Sequence, residues 1–129
     1  MQNSNENRKN KILLVEDNEI SREVGILLLE KKGYIITAAE NGETALALLE
    51  SSKYDLIMMD LQMPVMDGYT ATKKIREKEK FNGGHVIIIA LTAYAMKEDV
   101  EKCLALGMDD YLSKPINAEE MYKKLEKWL

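Results

Sequence analysis

Short apolar runs alternate five times with segments of helical periodicity along this chain of 129 residues. The runs cover residues 12–15, 34–38, 56–59, 86–91 and 111–112. Branched and long apolar residues dominate them, which is typical of buried parallel strands. Strands that alternate with helices form an open sheet with helices on both faces. We therefore predict an α/β fold, a doubly wound (βα)5 three-layer sandwich with a parallel five-stranded sheet.

Capping and breaking residues limit the first predicted helix. Asn18 is a favourable N-cap, and Gly33 ends the helical pattern. The helix carries most of its long apolar residues, together with a lysine, along one face: Ile20, Val24, Leu27, Leu28 and Lys31.

Length and composition indicate one compact domain. Hydrophobic residues make up 46% of the chain, enough for a real core at this length. We predict a disordered polar leader over residues 1–10 and a single domain over residues 11–129. Because no apolar segment reaches the roughly 18 residues of a membrane span, we expect a cytoplasmic protein. A net charge of −4 argues against direct binding to nucleic acid.

Polar residues stand just past the ends of four predicted strands: Glu16, Asp17, Asp60, Thr92 and Lys114. In an open parallel sheet, ligands gather outside the carboxyl ends of the strands. In the flavodoxin-like order 2-1-3-4-5, the four strands with these residues are neighbours, and the second strand lies at the edge. The ends of three adjacent strands span about 10 Å. The sequence therefore predicts one site built from all five residues.

The predicted site suits phosphoryl transfer around a divalent cation. A carboxylate accepts a phosphoryl group as an acyl phosphate, and Asp60 is the candidate nucleophile. Mg²⁺ prefers one or two carboxylates together with water, so Asp17 and Asp60 are the expected direct ligands, with Glu16 acting through water. Lys114 supplies further positive charge for the transition state.

Four stretches of the chain together resemble the receiver domain of two-component response regulators, especially the receivers of hybrid sensor kinases. They are residues 13–18 (LLVEDN), 59–68 (MDLQMPVMDG), 90–93 (ALTA) and 107–115 (GMDDYLSKP). The resemblance covers nearly everything from residue 11 to residue 129. Family members most often have Asp where Glu16 stands, although Glu is a frequent variant.

The resemblance implies a role for each site residue. Asp60 would be the phosphoacceptor, and the main-chain carbonyl of Gln62 would join the ligands of Mg²⁺, with Mn²⁺ as a possible substitute. The Thr92 hydroxyl would contact the phosphoryl group, and Lys114 would pair with it. Movement of Thr92 would let the ring of Tyr111 turn inward and remodel the face formed by the fourth helix, fifth strand and fifth helix.

The resemblance also implies partners. The phosphoryl donor would be a histidine kinase or a histidine phosphotransfer protein, which would dock on the first helix and the loop after the fifth strand. The implicated residues are Asn18, Ile20, Val24, Pro115 and Ile116. Phosphorylation would also permit a dimer through the remodelled face. Pro115 would be a cis proline. Gln62 and Tyr94 would tune the lifetime of the phosphorylated form.

Three other functions compete with this interpretation. A haloacid-dehalogenase-like phosphatase has a second Asp two residues after its nucleophile, where this chain has Gln62. A flavin-binding flavodoxin needs a Ser/Thr/Gly-rich phosphate loop, where this chain has Glu16 and Asp17. A receiver-like interaction module that works without phosphorylation is the remaining alternative.

Overall fold

The computed structural model describes residues 9–93 and 96–129. Strands and helices alternate as predicted: β1 (Lys11–Val15), α1 (Glu19–Lys31), β2 (Ile35–Ala39), α2 (Gly42–Ser51), β3 (Leu56–Asp60), α3 (Gly68–Asn82), β4 (Ile87–Thr92), α4 (Lys97–Ala105), β5 (Asp110–Ser113) and α5 (Ala118–Trp128). All strand pairs are parallel, in the order β2-β1-β3-β4-β5. The predicted fold and strand order are confirmed. Tyr94 and most of the predicted leader, residues 1–8, lie outside the described residues.

The sheet separates two apolar clusters, because successive side chains of a strand point to opposite faces. The cluster beneath α2, α3 and α4 takes these residues from the central strands: Leu13, Val15, Ile57, Met59, Ile88 and Ala90. The cluster beneath α1 and α5 takes the alternate residues: Ile12, Leu14, Leu56, Met58, Ile89 and Leu91. Burial on both faces explains why these strands read as continuous apolar runs.

The apolar face predicted for α1 is mostly not the face that packs on the sheet. Ile20 is 73% exposed, Val24 47% and Leu27 68%, whereas Gly25 and Leu29 are buried. Of the predicted face, only Leu28 packs against the core. Helical spacing places residues on one face without saying whether that face meets the sheet or solvent.

Side-chain caps begin four of the five helices in the part of the chain that the structure describes. Asn18, Asn41, Asp67 and Asn117 each accept a hydrogen bond from the main-chain N–H three residues on, at 2.8–2.9 Å. Such caps satisfy main-chain donors that the first turn of a helix leaves unpaired. Within residues 9–93 and 96–129, the helices are too short or too polar to cross a membrane.

Candidate phosphoryl-transfer site

The sheet register brings the predicted polar residues to one edge. Glu16 and Asp17 directly follow β1, and Asp60 and Thr92 are the last residues of β3 and β4. Asp60 lies opposite Leu91 in the neighbouring strand, and Thr92 lies opposite Ser113, the residue before Lys114. All four strand ends that were predicted to share a site therefore meet at the carboxyl edge of the sheet.

Three carboxylates cluster at this edge. One oxygen from each of Glu16, Asp17 and Asp60 lies within 4.8 Å of the others. Glu16 and Asp60 are buried, whereas Asp17 is exposed, so the cluster opens toward solvent on one side. Hard oxygen ligands at this spacing fit Mg²⁺, which keeps several waters and uses only one or two carboxylates directly.

Lys114 neutralises part of this negative charge. Its Nζ lies 2.8 Å from Glu16 Oε1 and 2.9 Å from Asp60 Oδ2. Burial alone would lower the pKa of Lys114, but the bonds to Asp60 and Glu16 outweigh burial and raise the pKa above its ordinary value. The lysine is therefore a permanent cation at neutral pH. The Lys114–Pro115 peptide bond is cis, the isomer that the resemblance implies.

The surroundings of Glu16 disfavour its charged form. Burial raises its pKa, and the neighbouring carboxyl of Asp60 raises it further, while bonds from Lys114 and the Asn18 N–H act in the opposite direction. The side chain nevertheless reaches Lys114 with one oxygen and the Asn18 N–H with the other, at 2.8 and 3.2 Å. Glu16 therefore links the lysine to the start of α1.

Asp60 is held by two donors. Its Oδ1 accepts a hydrogen bond from the Gln62 N–H at 3.1 Å, and its Oδ2 accepts one from Lys114. The role predicted for the Gln62 carbonyl stays a prediction. Thr92 is 5% exposed, and its carbonyl accepts a 2.7 Å bond from the Lys114 N–H, which joins β4 to the start of the lysine loop.

Comparison with known proteins identifies this arrangement. A sequence profile of the response regulator receiver domain matches residues 12–126. The chain belongs to the response regulator receiver domain family. A receiver domain is a module of two-component signalling, and the geometry of the site suits that role.

Relatives of this receiver domain occur within much longer proteins. Hybrid signal transduction histidine kinase I of Dictyostelium discoideum is 48% identical over 118 residues, a match that covers 88% of this chain and 7% of that kinase. The chain thus spans a small fraction of the length of this relative.

Two solved structures share the fold closely. One, with a TM-score of 0.89 and 39% identity, contains the Saccharomyces cerevisiae histidine phosphotransfer protein Ypd1 and the receiver domain of Ssk1, and the match covers 93% of this chain and 88% of that one. The other is the receiver domain of a Pseudomonas aeruginosa sensor histidine kinase with magnesium in its active site cleft. It has a TM-score of 0.84 and 45% identity, and the match covers 94% of this chain and 98% of that one.

The predicted switch residue of this receiver domain, Tyr111, is half-buried on β5. Lys124 of α5 lies over its ring, with Nζ 4.3 Å from the centroid. The same Nζ contacts the Tyr111 carbonyl at 2.6 Å and Asp110 Oδ1 at 2.8 Å. Trp128 also donates to Asp110, so two residues of α5 hold β5 through one carboxylate.

The residues predicted to meet a phosphodonor surround the same edge. Asn18 caps α1, and Ile20 and Val24 are exposed on the next two turns. Beyond Lys114, Pro115 is exposed, whereas Ile116 is half-buried and packs against the core. Among the residues predicted to meet a phosphodonor, the exposed aliphatic side chains are therefore those on α1, whereas Ile116 is partly buried.

Sequence reasoning missed Arg22 as a site residue. Its guanidinium contacts the main-chain carbonyls of Glu16 and Asp17 from within α1. Its position one turn after the capping Asn18 is the signal that was available, because a long side chain there is able to reach back over the preceding loop.

A cavity of about 600 Å³ lies at the opposite end of the molecule, between α2 and α3. Leu49, Tyr54, Ile75 and Val86 are among its lining residues, near where β3 and β4 begin. The carboxylate cluster and the cavity therefore lie at opposite ends of the sheet.

Proposed function

We propose that Asp60 accepts a phosphoryl group from the phosphohistidine of a histidine kinase or a histidine phosphotransfer protein. The observation that carries this proposal is the position of the Asp60 carboxylate, buried beside two other carboxylates and paired with a protonated lysine. A structural role alone gives no reason to gather three negative charges at one edge, since like charges disfavour one another.

The proposed reaction is a direct transfer. An Asp60 oxygen forms a bond to phosphorus as the bond between phosphorus and the donor imidazole nitrogen breaks, and the electron pair stays on that nitrogen. The product is an acyl phosphate. In autodephosphorylation, water attacks phosphorus, the bond to the Asp60 oxygen breaks, and inorganic phosphate leaves. The domain would thus promote its own phosphorylation and dephosphorylation.

Two further residues act on the transferred group in this proposal. Lys114 is already fixed beside Asp60, so its ammonium is placed to pair with a phosphoryl oxygen without a large reorganisation. Thr92 ends the neighbouring strand, and its hydroxyl would bond another phosphoryl oxygen.

A divalent cation completes the proposed site. Asp17 and Asp60 would hold Mg²⁺ directly, Glu16 through water, and the Gln62 carbonyl would be a further ligand; Mn²⁺ would fit the same oxygen set. The bound cation would neutralise the negative charge of the phosphoryl oxygens. Magnesium in the cleft of the P. aeruginosa receiver supports this assignment.

The phosphodonor would dock on α1 and the loop after β5. Ile20 and Val24 expose apolar side chains on successive turns of α1, the helix that follows Glu16 and Asp17. Neighbouring exposed apolar side chains are typical of interaction surfaces. The complex of the Ssk1 receiver with Ypd1 supports a phosphotransfer protein as the class of partner. A cytoplasmic location follows from such a partner.

Phosphorylation would change the face made by α4, β5 and α5. Thr92 and Tyr111 lie on adjacent strands, so a shift of the threonine toward the phosphoryl group alters the space beside the tyrosine. The ring would then turn inward and bias an existing two-state equilibrium. The altered face would permit dimerisation through α4, β5 and α5.

Acetyl phosphate with Mg²⁺ tests the phosphoacceptor assignment. We expect intact-mass spectrometry to show the gain of one base-labile phosphoryl group. Asp60→Asn should abolish the gain, because an amide is a poor nucleophile and cannot form the acyl phosphate.

Asp67→Asn is the matched control. It removes one carboxylate from the loop that follows Asp60 and keeps a side-chain oxygen that caps α3. We expect this variant to gain the phosphoryl group. If the native domain stays unmodified with acetyl phosphate and with phosphorylated phosphotransfer proteins, the interaction module that works without phosphorylation is the better interpretation.

A further inference from the structure

Arg22 connects the body of α1 to the two carboxylates that follow β1. Its NH1 donates to the Glu16 carbonyl at 3.0 Å and lies 3.4 Å from the Asp17 carbonyl. Its own main-chain N–H donates to the Asn18 carbonyl at 2.9 Å. The residue is half-buried, so these contacts are partly shielded from water.

These contacts constrain the loop that carries the acidic pair. The orientation of the carbonyl groups of residues 16 and 17 sets the direction in which the chain presents the Asp17 side chain, because each peptide unit is planar. Asn18 adds a second constraint through its N–H bond to Glu16 and its cap on the Ser21 N–H. Arg22 is the long-range member of this set, since it joins the loop to the first full turn of α1.

Within residues 9–93 and 96–129, the guanidinium of Arg22 bonds main-chain carbonyls and forms no ion pair. Among the described residues, its hydrogen bonds go to main-chain oxygens, and no carboxylate lies within ion-pair distance. A guanidinium that only balanced the acidic cluster would be expected to bond a carboxylate, for which its fork is suited.

We infer that Arg22 is a positioning residue that pre-organises Glu16 and Asp17 for the divalent cation. This inference rests on the proposed metal site. Groups that orient metal ligands without touching the metal commonly change metal affinity by about tenfold or more when they are removed.

Two effects of removing Arg22 have opposite signs, which makes the test decisive. Loss of a positive charge near the carboxylates would strengthen the binding of a cation. Loss of the contacts to the carbonyls would loosen the loop and weaken binding, because the free site must then be ordered as the cation binds. The inference requires the second effect to prevail.

Isothermal titration calorimetry with MgCl₂ on the unphosphorylated domain measures this directly. We expect Arg22→Met, which keeps a long apolar stem, to bind Mg²⁺ about tenfold more weakly than the native domain. Lys31→Met is the matched control, because it removes the same charge from the exposed far end of α1. We expect the Mg²⁺ affinity of this variant to stay within about twofold of native, because salt screens a distant exposed charge. Circular dichroism checks that each variant is folded, and Arg22→Gln replaces Arg22→Met if the latter is not.

A kinetic measurement separates positioning from general damage. With acetyl phosphate as donor, Arg22→Met should need about tenfold more Mg²⁺ for half-maximal phosphorylation and should recover the native rate at saturation. Native or tighter Mg²⁺ binding by the folded variant would overturn the role of Arg22 while leaving the metal site intact. If the native domain itself binds no Mg²⁺, the proposed metal site fails and the inference fails with it.

Discussion

Thr72 carries a buried hydroxyl that has no hydrogen-bond partner among the described residues. The residue is fully buried in α3, and its Oγ1 is unpaired. A buried, unpaired polar group is destabilising by about 1–3 kcal/mol. We therefore expect Thr72→Val, which keeps the shape and removes the hydroxyl, to raise the free energy of unfolding by about 1 kcal/mol in urea denaturation.

Thr72→Ser is the control for this prediction. It keeps the hydroxyl and removes the methyl group, so we expect it to lower the free energy of unfolding by about 1 kcal/mol through the lost apolar contact. A Thr72→Val variant that is less stable than the native domain would show that the hydroxyl makes a stabilising contact.

Single residues of the site were predictable where their position in a strand decided their role. Asp60 and Thr92 were predictable because each ends a buried apolar strand, and parallel strands end at the same edge. For Arg22, spacing shows only that the side chain is near the preceding loop, one turn after Asn18. It does not show which main-chain carbonyls the guanidinium contacts. The same holds for the pairing of Asp110 with Lys124 and Trp128.

At the scale of elements, the start of α3 is tied closely to the end of β3. Gly68, the first residue of α3, donates its N–H to the Leu61 carbonyl at 3.2 Å. A Cβ at residue 68 would overlap the Asp60 carbonyl oxygen and lie 2.9 Å from the Leu61 Cα. Neither main-chain atom is able to yield without moving Asp60.

We therefore expect Gly68→Ala to lower the free energy of unfolding by about 2 kcal/mol and to slow phosphorylation. Gly25→Ala is a suitable control, because a Cβ there would meet only the end of the Leu14 side chain. Urea denaturation should show a clearly smaller loss for Gly25→Ala, and equal losses would contradict the claim that main-chain contact is decisive.

The attachment of α5 to β5 should depend on pH. Burial would raise the pKa of Asp110, but hydrogen bonds from Lys124, Trp128 and the Tyr111 N–H outweigh burial and hold the pKa below its ordinary value. A depressed carboxyl pKa stabilises the fold above the ordinary value of about 3.9, and that stability is lost as the pH falls through the lower folded value. We expect Lys124→Met to lower the free energy of unfolding by about 1–3 kcal/mol at pH 7 and by less near pH 3.

The control for this pair is Lys78→Met. Lys78 pairs with Glu50 at 2.7 Å, but both side chains are more than half exposed, so the loss should be below about 1 kcal/mol at pH 7. A Lys124→Met penalty that is the same at pH 7 and at low pH would show that packing, rather than the Asp110 ion pair, accounts for the loss.

For α1, helical spacing alone was insufficient. Ile20, Val24 and Leu27 share a face, yet that face meets solvent, and the helix packs on the sheet through Gly25 and Leu29. The helix packs through the face with Gly25, because a glycine allows close approach of α1 to Leu14 on β1. Periodicity alone does not give the position of the sheet relative to the helix.

At the scale of the whole molecule, the fold was predictable because several independent signals agreed. Five apolar runs, helices between them and polar residues at four strand ends together favour the order 2-1-3-4-5, and the structure has that order. The presence of a cavity at the end of the sheet opposite the carboxylates was not predictable. The carboxylates occupy one end, whereas the cavity between α2 and α3 opens at the other, and no local pattern marks the latter.

The carboxylate cluster should also couple cation binding to the stability of the entire domain. A ligand that binds only the folded state raises the free energy of unfolding by RT ln(1 + [L]/Kd), or about 2.7 kcal/mol at a concentration 100 times Kd. The three carboxylates converge only in the folded chain, because residues 16 and 17 are distant in sequence from residue 60. We therefore expect the melting temperature to rise with Mg²⁺ concentration and to fall again when EDTA is added.

Asp17→Asn separates this specific effect from general screening of charge. Asp17 is exposed, so the substitution should leave the fold intact while removing an expected direct ligand. The Mg²⁺-dependent rise should then largely disappear, whereas NaCl at matched ionic strength should act on both proteins alike, because screening depends on total ionic strength. A variant that Mg²⁺ stabilises as strongly as the native domain would place the cation elsewhere, and Asp17 would then have no part in holding it.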